Sequence, residues 1–318
     1  MPGVALVLGA GGVVGGAWHA GLLAALAEAG WDARSADLIV GTSAGSGVGA
    51  MLRAGVSAGD LYARARGEPL SAPGARLFGD IGPVPPAPQG PTWRIPLASA
   101  PTALAWAALR PGRHRPAALM AAAMPAGTVS TQPIEDLYRR LHGDAWPTAP
   151  LWLVAVRQFD NRRVVFGAGD DPRPTVGQAV AASCAIPGVF APVDVNGTTY
   201  IDGGVHSVHN LDLLERHPYD LVLVSAPMAS TSLLPLPLPG AAMRQLIGLQ
   251  LRSEVRAARR TGSKVVVLSP DTSAQRAMGN RPMDPAMRPT VARHVKDAFS
   301  GRLGRDRDLR ASLATLGL

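Results

Sequence analysis

Gly41-Thr42-Ser43-Ala44-Gly45 carries the clearest chemical content in the chain. In a G-x-S-x-G elbow the serine occupies a strained turn between a strand and a helix. The glycines at the two ends, Gly41 and Gly45, leave room for neighbouring backbone. The turn lifts the serine oxygen out of the sheet, beside a helix N-terminus that favours negative charge. Ser43 is therefore the candidate nucleophile. A second motif, Gly9-Ala-Gly-Gly-Val-Val-Gly-Gly16, presents consecutive backbone N–H groups at a helix N-terminus, which suits an anion. A bound phosphate and a transient oxyanion both meet that description. A third, Tyr200-Ile-Asp202-Gly203-Gly204, puts an acid at a strand end, and its two glycines let it approach another loop closely. An aspartate hydrogen-bonded to a serine can serve as its general base.

Each motif has competing readings. The strict G-x-G-x-x-G fingerprint fails because its third glycine falls on Val14. The looser Gly9, Gly11, Gly15 spacing fits a dinucleotide loop, with Asp32 or Asp37 near the distance of a ribose-binding acid. A phosphate-binding P-loop fails because no Lys-Ser/Thr follows the glycines. A dinucleotide domain has no use for an elbow serine, and a glycine loop paired with one on the next β-α unit favours an oxyanion. His206 and His209 follow Asp202 and offer a third triad member. His19 sits on the helix behind the glycine loop and reads as a packed or hydrogen-bonded histidine near the site. Cys184, in an apolar run without a basic neighbour, reads as a buried structural thiol.

The elements that must position these residues follow from periodicity. Val4–Leu8 is an apolar run before glycines and reads as a buried strand. Residues 9–16 read as a loop, 17–29 as a helix closed by Gly30, 37–40 as a strand and 46–54 as a helix. This β-loop-α-β-loop-α order marks a parallel sheet with helices on its faces. Further strands are expected at 151–156, 163–166, 221–225 and 264–268. A hairpin is expected over 193–201 around Asn196-Gly197. Helices are expected at 176–182, 244–260 and 290–316. Residues 67–131 are rich in Pro, Ala and Gly and read as an irregular cap or lid inserted in a single domain spanning 1–318.

Composition narrows the function class. Of 318 residues, 47% are apolar and 17% charged, so there is ample material for a core and general disorder is excluded. The 31 basic and 23 acidic residues give +8, and only Lys264 and Lys296 are lysines. The basic residues are scattered and aromatics make up 5%, which argues against a nucleic-acid reader. A single cysteine excludes an internal disulfide and a Cys-built zinc site. No His/Asp/Glu spacing calls for a metal, and no cofactor is expected. Residues 1–27 carry no charged side chain, but seven glycines interrupt them and no basic residue precedes them, so neither a signal peptide nor a membrane span is expected. The chain is expected to be cytoplasmic, with peripheral membrane contact and oligomeric state left open. Low charge, Trp93, Trp106 and an apolar insertion suit a lipid or another acyl ester as partner.

The three motifs in this order resemble the patatin-like phospholipase family. Ala182-Ser-Cys-Ala-Ile-Pro187, Phe190-Ala-Pro192 and a hairpin into Asp202-Gly-Gly204 extend the resemblance over residues 4–55 and 175–225. It implies an α/β fold with a central, mostly parallel sheet flanked by helices in three layers. It implies hydrolysis of lipid acyl esters, of the phospholipase A, lysophospholipase or esterase type, by a Ser–Asp dyad of Ser43 and Asp202. It also implies an oxyanion hole from the backbone at Gly11, Gly12 and Val13. One departure is Val14, where the family usually carries Arg or Lys. That departure motivates a second reading, a non-catalytic lipid-binding relative; a nucleotide-binding α/β protein is the third.

Overall fold

The computed structural model describes residues 3–79, 98–109, 116–169, 174–229 and 241–317. The first half runs β1 (Val4–Leu8), α1 (Gly12–Glu28), β2 (Leu38–Thr42), α2 (Ala44–Arg53), α3 (Ala58–Arg66), α4 (Ala72–Phe78), α5 (Pro101–Leu109), α6 (Pro116–Ala123) and α7 (Gln132–His142). The second half runs β3 (Leu151–Arg157), β4 (Arg162–Phe166), α8 (Val176–Ser183), β5 (Val193–Val195), β6 (Thr198–Asp202), β7 (Leu221–Ser225), α9 (Ala241–Arg260), β8 (Lys264–Leu268), α10 (Thr272–Met278), α11 (Arg288–Arg305) and α12 (Arg307–Ser312).

The eight strands form one sheet in the order β5-β6-β3-β2-β1-β7-β8, with β4 also on β3. Pairs from β3 through β2, β1 and β7 to β8 are parallel; β4, β5 and β6 pair antiparallel. Alternation splits the apolar residues between two cores. Leu6, Leu8, Leu221 and Leu223 face a core shared with α1, α2, α8 and α11. Ala5, Val7, Val222 and Val224 face a second core under α9. The sheet is thus sandwiched between helical layers, as the alternating pattern predicts.

One register detail places the site. β4 occupies one edge of β3 from Leu153 to Arg157. A strand edge holds one neighbour at each residue, so β2 and β6 must share the other edge. β2 occupies it up to Val154, opposite Thr42, and β6 from Ala155, opposite Asp202. β2 runs parallel to β3 and β6 antiparallel, so their C-terminal ends converge between Val154 and Ala155.

Several elements differ from the sequence expectation. α1 begins at Gly12, not at residue 17, so most of the presumed loop is the first helical turn. Gly15 N–H donates to Gly11 O at 2.8 Å and Val14 N–H to Pro282 O at 3.0 Å. Burial of the helix, with Trp18 edge-on to Phe299 of α11 at 5.7 Å, outweighs a penalty of about 1 kcal/mol per helical glycine. Residues 67–131 hold three helices in their described parts, α4 to α6, where an irregular stretch was expected. Proline and alanine there start and fill helices, and Ala121 of α6 packs on Val156 and Ile201. The Asn196-Gly197 hairpin forms as expected, with φ of 52° and 79° at its two corner residues. Trp93, the Arg- and His-bearing residues 110–115 and the Pro- and Leu-rich residues 230–239 lie outside the described residues. No described helix is long and apolar enough to cross a membrane.

Candidate active site

Ser43 stands between β2 and α2 with φ 53° and ψ −119°. That conformation costs a non-glycine residue about 1–3 kcal/mol and persists only where the surroundings impose it. Here they do. Ser43 N–H donates to Ser183 Oγ at 2.9 Å, and Ser183 Oγ donates to Val154 O at 2.7 Å. Ser43 O accepts from Ser46 Oγ at 2.5 Å and from Ser46 N–H at 2.9 Å. Gly45 lets α2 start against β1, since a Cβ there would lie 2.0 Å from Leu8 O.

Asp202 ends β6 and is 4% exposed. Its Oδ1 accepts Gly204 N–H at 2.7 Å, and the Ser43 side chain is near enough to favour its charged form. Burial raises its pKa to about 6, against the lowering pull of the nearby Ser43 side chain and the Gly204 N–H. The convergence of β2 and β6 on one edge of β3 thus brings together two residues that are 159 positions apart in sequence. The loop after Asp202 is anchored to α9, where Glu254 accepts from Ser207 Oγ at 2.6 Å and Leu211 N–H at 3.1 Å.

The glycine loop reaches the same cavity. Gly12 and Val13 line it together with Ser43; Gly11 lies behind them, off the cavity wall. Gly12 has φ +61°, and a Cβ there would meet Pro282 O at 2.7 Å. Among the described residues no protein acceptor takes the N–H groups of Gly11, Gly12 and Val13, whereas Val14 N–H is spent on Pro282. The Val14 side chain is 2% exposed and packs in the core, so it presents nothing to the cavity.

His19 holds this loop from behind. Its Nε2 lies 2.8 Å from Gly9 O and its Nδ1 2.7 Å from Ser225 Oγ. Gly9 O can only accept, so Nε2 carries the proton and Nδ1 accepts from Ser225, whose oxygen in turn accepts Trp18 Nε1–H at 3.1 Å. Burial pushes the His19 pKa down to about 4, which keeps this neutral arrangement. His209 is buried as well, with a pKa lowered to about 3 by burial and by the nearby His19. Among the described residues its Nε2 has no partner. No histidine is a hydrogen-bond partner of Asp202 among the described residues. The triad option through His206 or His209 therefore has no geometric support.

The cavity measures about 700 Å³. Its apolar lining comes largely from α1, α2 and α7, including Ala17, Val48, Met51, Ile134 and Leu137, with Val180 of α8 and Phe190 beside them. Cys184 departs from the expectation of a fully buried thiol: it is half-buried on the cavity wall, 3.8 Å from Ser46 Oγ. Burial and the Asp202 charge push its pKa to about 12, so it stays a thiol. The ribose-acid reading also loses its residues. Asp37 accepts Val4 N–H at 2.7 Å, at the end of β1 remote from the glycine loop, and Asp32 is forked with Arg34. Among the described residues no three His, Cys, Asp or Glu side chains converge as metal ligands.

Sequence reasoning missed Ser183, Arg64, Tyr138 and Arg288. Signals for two of the missed elements were present. Ser57 caps α3 by accepting Asp60 N–H at 3.0 Å, and Ile134, Leu137, Tyr138 and Leu141 have the spacing of a buried helical stripe.

A family model described as patatin-like phospholipase matches residues 6–214. That is more than half of the chain and includes both Ser43 and Asp202. The chain belongs to the patatin-like phospholipase family. No curated protein sequence matches it. Solved structures similar to it include VipD from Legionella pneumophila, at 14% identity over 96% of this chain and 67% of that one, with a TM-score of 0.44. Another is the type III effector protein ExoU, at 18% identity over 99% of this chain and 59% of that one, with a TM-score of 0.39.

Proposed function

We propose that this chain is a serine hydrolase of lipid acyl esters, with Ser43 as nucleophile and Asp202 as its base. The observation that carries this is the strained Ser43 set beside a buried carboxylate with a pKa of about 6, on the wall of a largely apolar cavity. A carboxylate is ordinarily a weak base for an alcohol; raising its pKa narrows the gap while leaving it ionised at neutral pH.

Asp202 takes the hydroxyl proton as Ser43 Oγ bonds to the ester carbonyl carbon, and the carbonyl oxygen becomes an oxyanion. The free N–H groups of Gly12 and Val13, with Gly11 beside them, donate to that oxyanion at the positive end of α1. The intermediate collapses, Asp202 returns the proton to the departing alcohol, and the acyl group remains on Ser43. Water, deprotonated by Asp202, then cleaves the acyl-enzyme and restores Ser43. Every step uses groups of this chain and water. The apolar lining favours an acyl chain, and the reading takes 1–318 as one α/β domain with 67–131 as its cap and with peripheral access to lipid.

Fluorophosphonate labelling tests the reading. The expected result is one adduct on Ser43, absent in Ser43→Ala and slowed in Asp202→Asn, with a wild-type rate that rises as pH passes through about 6. Folded wild type that acquires no adduct, with or without liposomes, refutes it and leaves a lipid binder.

A further inference from the structure

The cavity that holds Ser43 is not uniformly apolar. Arg64 of α3 and Arg288 at the start of α11 also line it. Both side chains are half-buried, and among the described residues neither has a carboxylate within ion-pair distance. Arg288 Nη2 donates to Arg64 O at 2.9 Å, and the Arg64 guanidinium lies 4.5 Å from the centre of the Phe78 ring. These contacts orient the two groups without neutralising either one.

The arrangement is costly as it stands. Burial holds both guanidiniums below the usual arginine range, and the charge of Arg64 lowers Arg288 further. Two like charges withdrawn from water, each without a counter-charge, are stable only if other contacts compensate. Some other arginines are paired with acids, as Arg34 is with Asp32 and Arg163 with Asp212, and the partly buried Arg53 donates to three backbone carbonyls. Arginine stems also cover apolar surface while their heads reach water. That alone does not account for two such arginines sharing the lining of one cavity with Ser43.

We propose that Arg64 and Arg288 form an anion subsite of this cavity, which takes the phosphate or carboxylate group of an acyl ester whose carbonyl lies at Ser43. The subsite rests on the hydrolase reading and narrows its substrate to anionic amphiphiles. Each guanidinium has five N–H donors in a planar fork, and Arg288 spends only one of them on Arg64 O. The remainder can form paired charge-assisted hydrogen bonds to a single anion. The acyl chain then lies along Ile134, Leu137 and Val180.

Calorimetry on the full chain tests this without turnover, using dodecyl phosphate, dodecanoate, dodecyl maltoside and inorganic phosphate. At least one of the two anionic amphiphiles is expected to bind about tenfold or more tightly than the maltoside, and added salt weakens it. Arg64→Gln and Arg288→Gln are each expected to lose about tenfold in that affinity, with Arg64→Lys and Arg288→Lys between them and wild type. The phosphate–carboxylate pair shows which anion is preferred. Equal binding of maltoside and both anionic amphiphiles by wild type overturns the subsite and needs no variant. Inorganic phosphate binding as tightly as dodecyl phosphate overturns its assignment to an amphiphilic substrate. Failure of Ser43 to label removes the hydrolase reading alone, because these binding measurements do not depend on that reaction.

Discussion

Replacing Asp202 by asparagine is expected to stabilise the fold while removing the base. The native carboxyl has its pKa raised from 3.8 to about 6 because it is buried. The folded state therefore holds this proton more tightly than the unfolded state does. The stability it contributes is fully present below pH 3.8 and is lost as pH rises through about 6. At 1.36 kcal/mol per pKa unit, the ionised carboxylate costs the fold about 3 kcal/mol at pH 8. Asparagine has nearly the same shape and no charge to desolvate, and its side-chain oxygen can keep the 2.7 Å bond from Gly204 N–H. The variant should then exceed wild type by about 2–3 kcal/mol at pH 8, with the gap closing by pH 4. His19 and His209 have lowered pKa values, so their contribution is lost as pH falls below 6.5. That acid limb is common to both proteins and cancels in the difference. Urea denaturation of both proteins at pH 4.5, 6 and 8 measures the gap. An Asn variant less stable than wild type at pH 8, or a gap independent of pH, would refute the reasoning.

Two further predictions concern the framework. His19→Phe keeps an aromatic ring but leaves Gly9 O without its donor and the Ser225 O–H without its acceptor. It should cost about 2–4 kcal/mol of stability. If His19 positions the glycine loop, kcat should also fall about ten- to a hundredfold with KM nearly unchanged, whereas a rise in KM alone would contradict that role. Gly45→Ala and Gly16→Ala form a contrast. The first puts a Cβ 2.0 Å from Leu8 O, while nothing lies within 4 Å of the second. Thermal melts should show the first unfolded or destabilised by about 4 kcal/mol or more, and the second neutral or slightly stabilised.

Much of the frame was legible from local pattern. Buried runs such as Val4–Leu8 and Leu221–Ser225 form the strands expected of them, because continuous apolar β-branched segments have few other stable uses. Asn196-Gly197 specified its own turn. The start of α1 was misjudged because glycine content is a local penalty, and a helix packed on α11 overrides it. Helices α5 and α6 were missed because proline and alanine runs show no amphipathic period.

The sequence by itself determined the candidate chemistry: a serine in a strand-to-helix turn, an acid before two glycines, and a glycine-rich segment leading into a helix. These are properties of residue type and short spacing. Only the tertiary structure decided which of them meet. The meeting of β2 and β6 on one edge of β3 joins Ser43 to Asp202. Burial then raises the acid's pKa, removes Val14 from the cavity and brings in Arg64 and Arg288. Desolvation and long-range strand register depend on residues far apart in the chain, so no local pattern contains them.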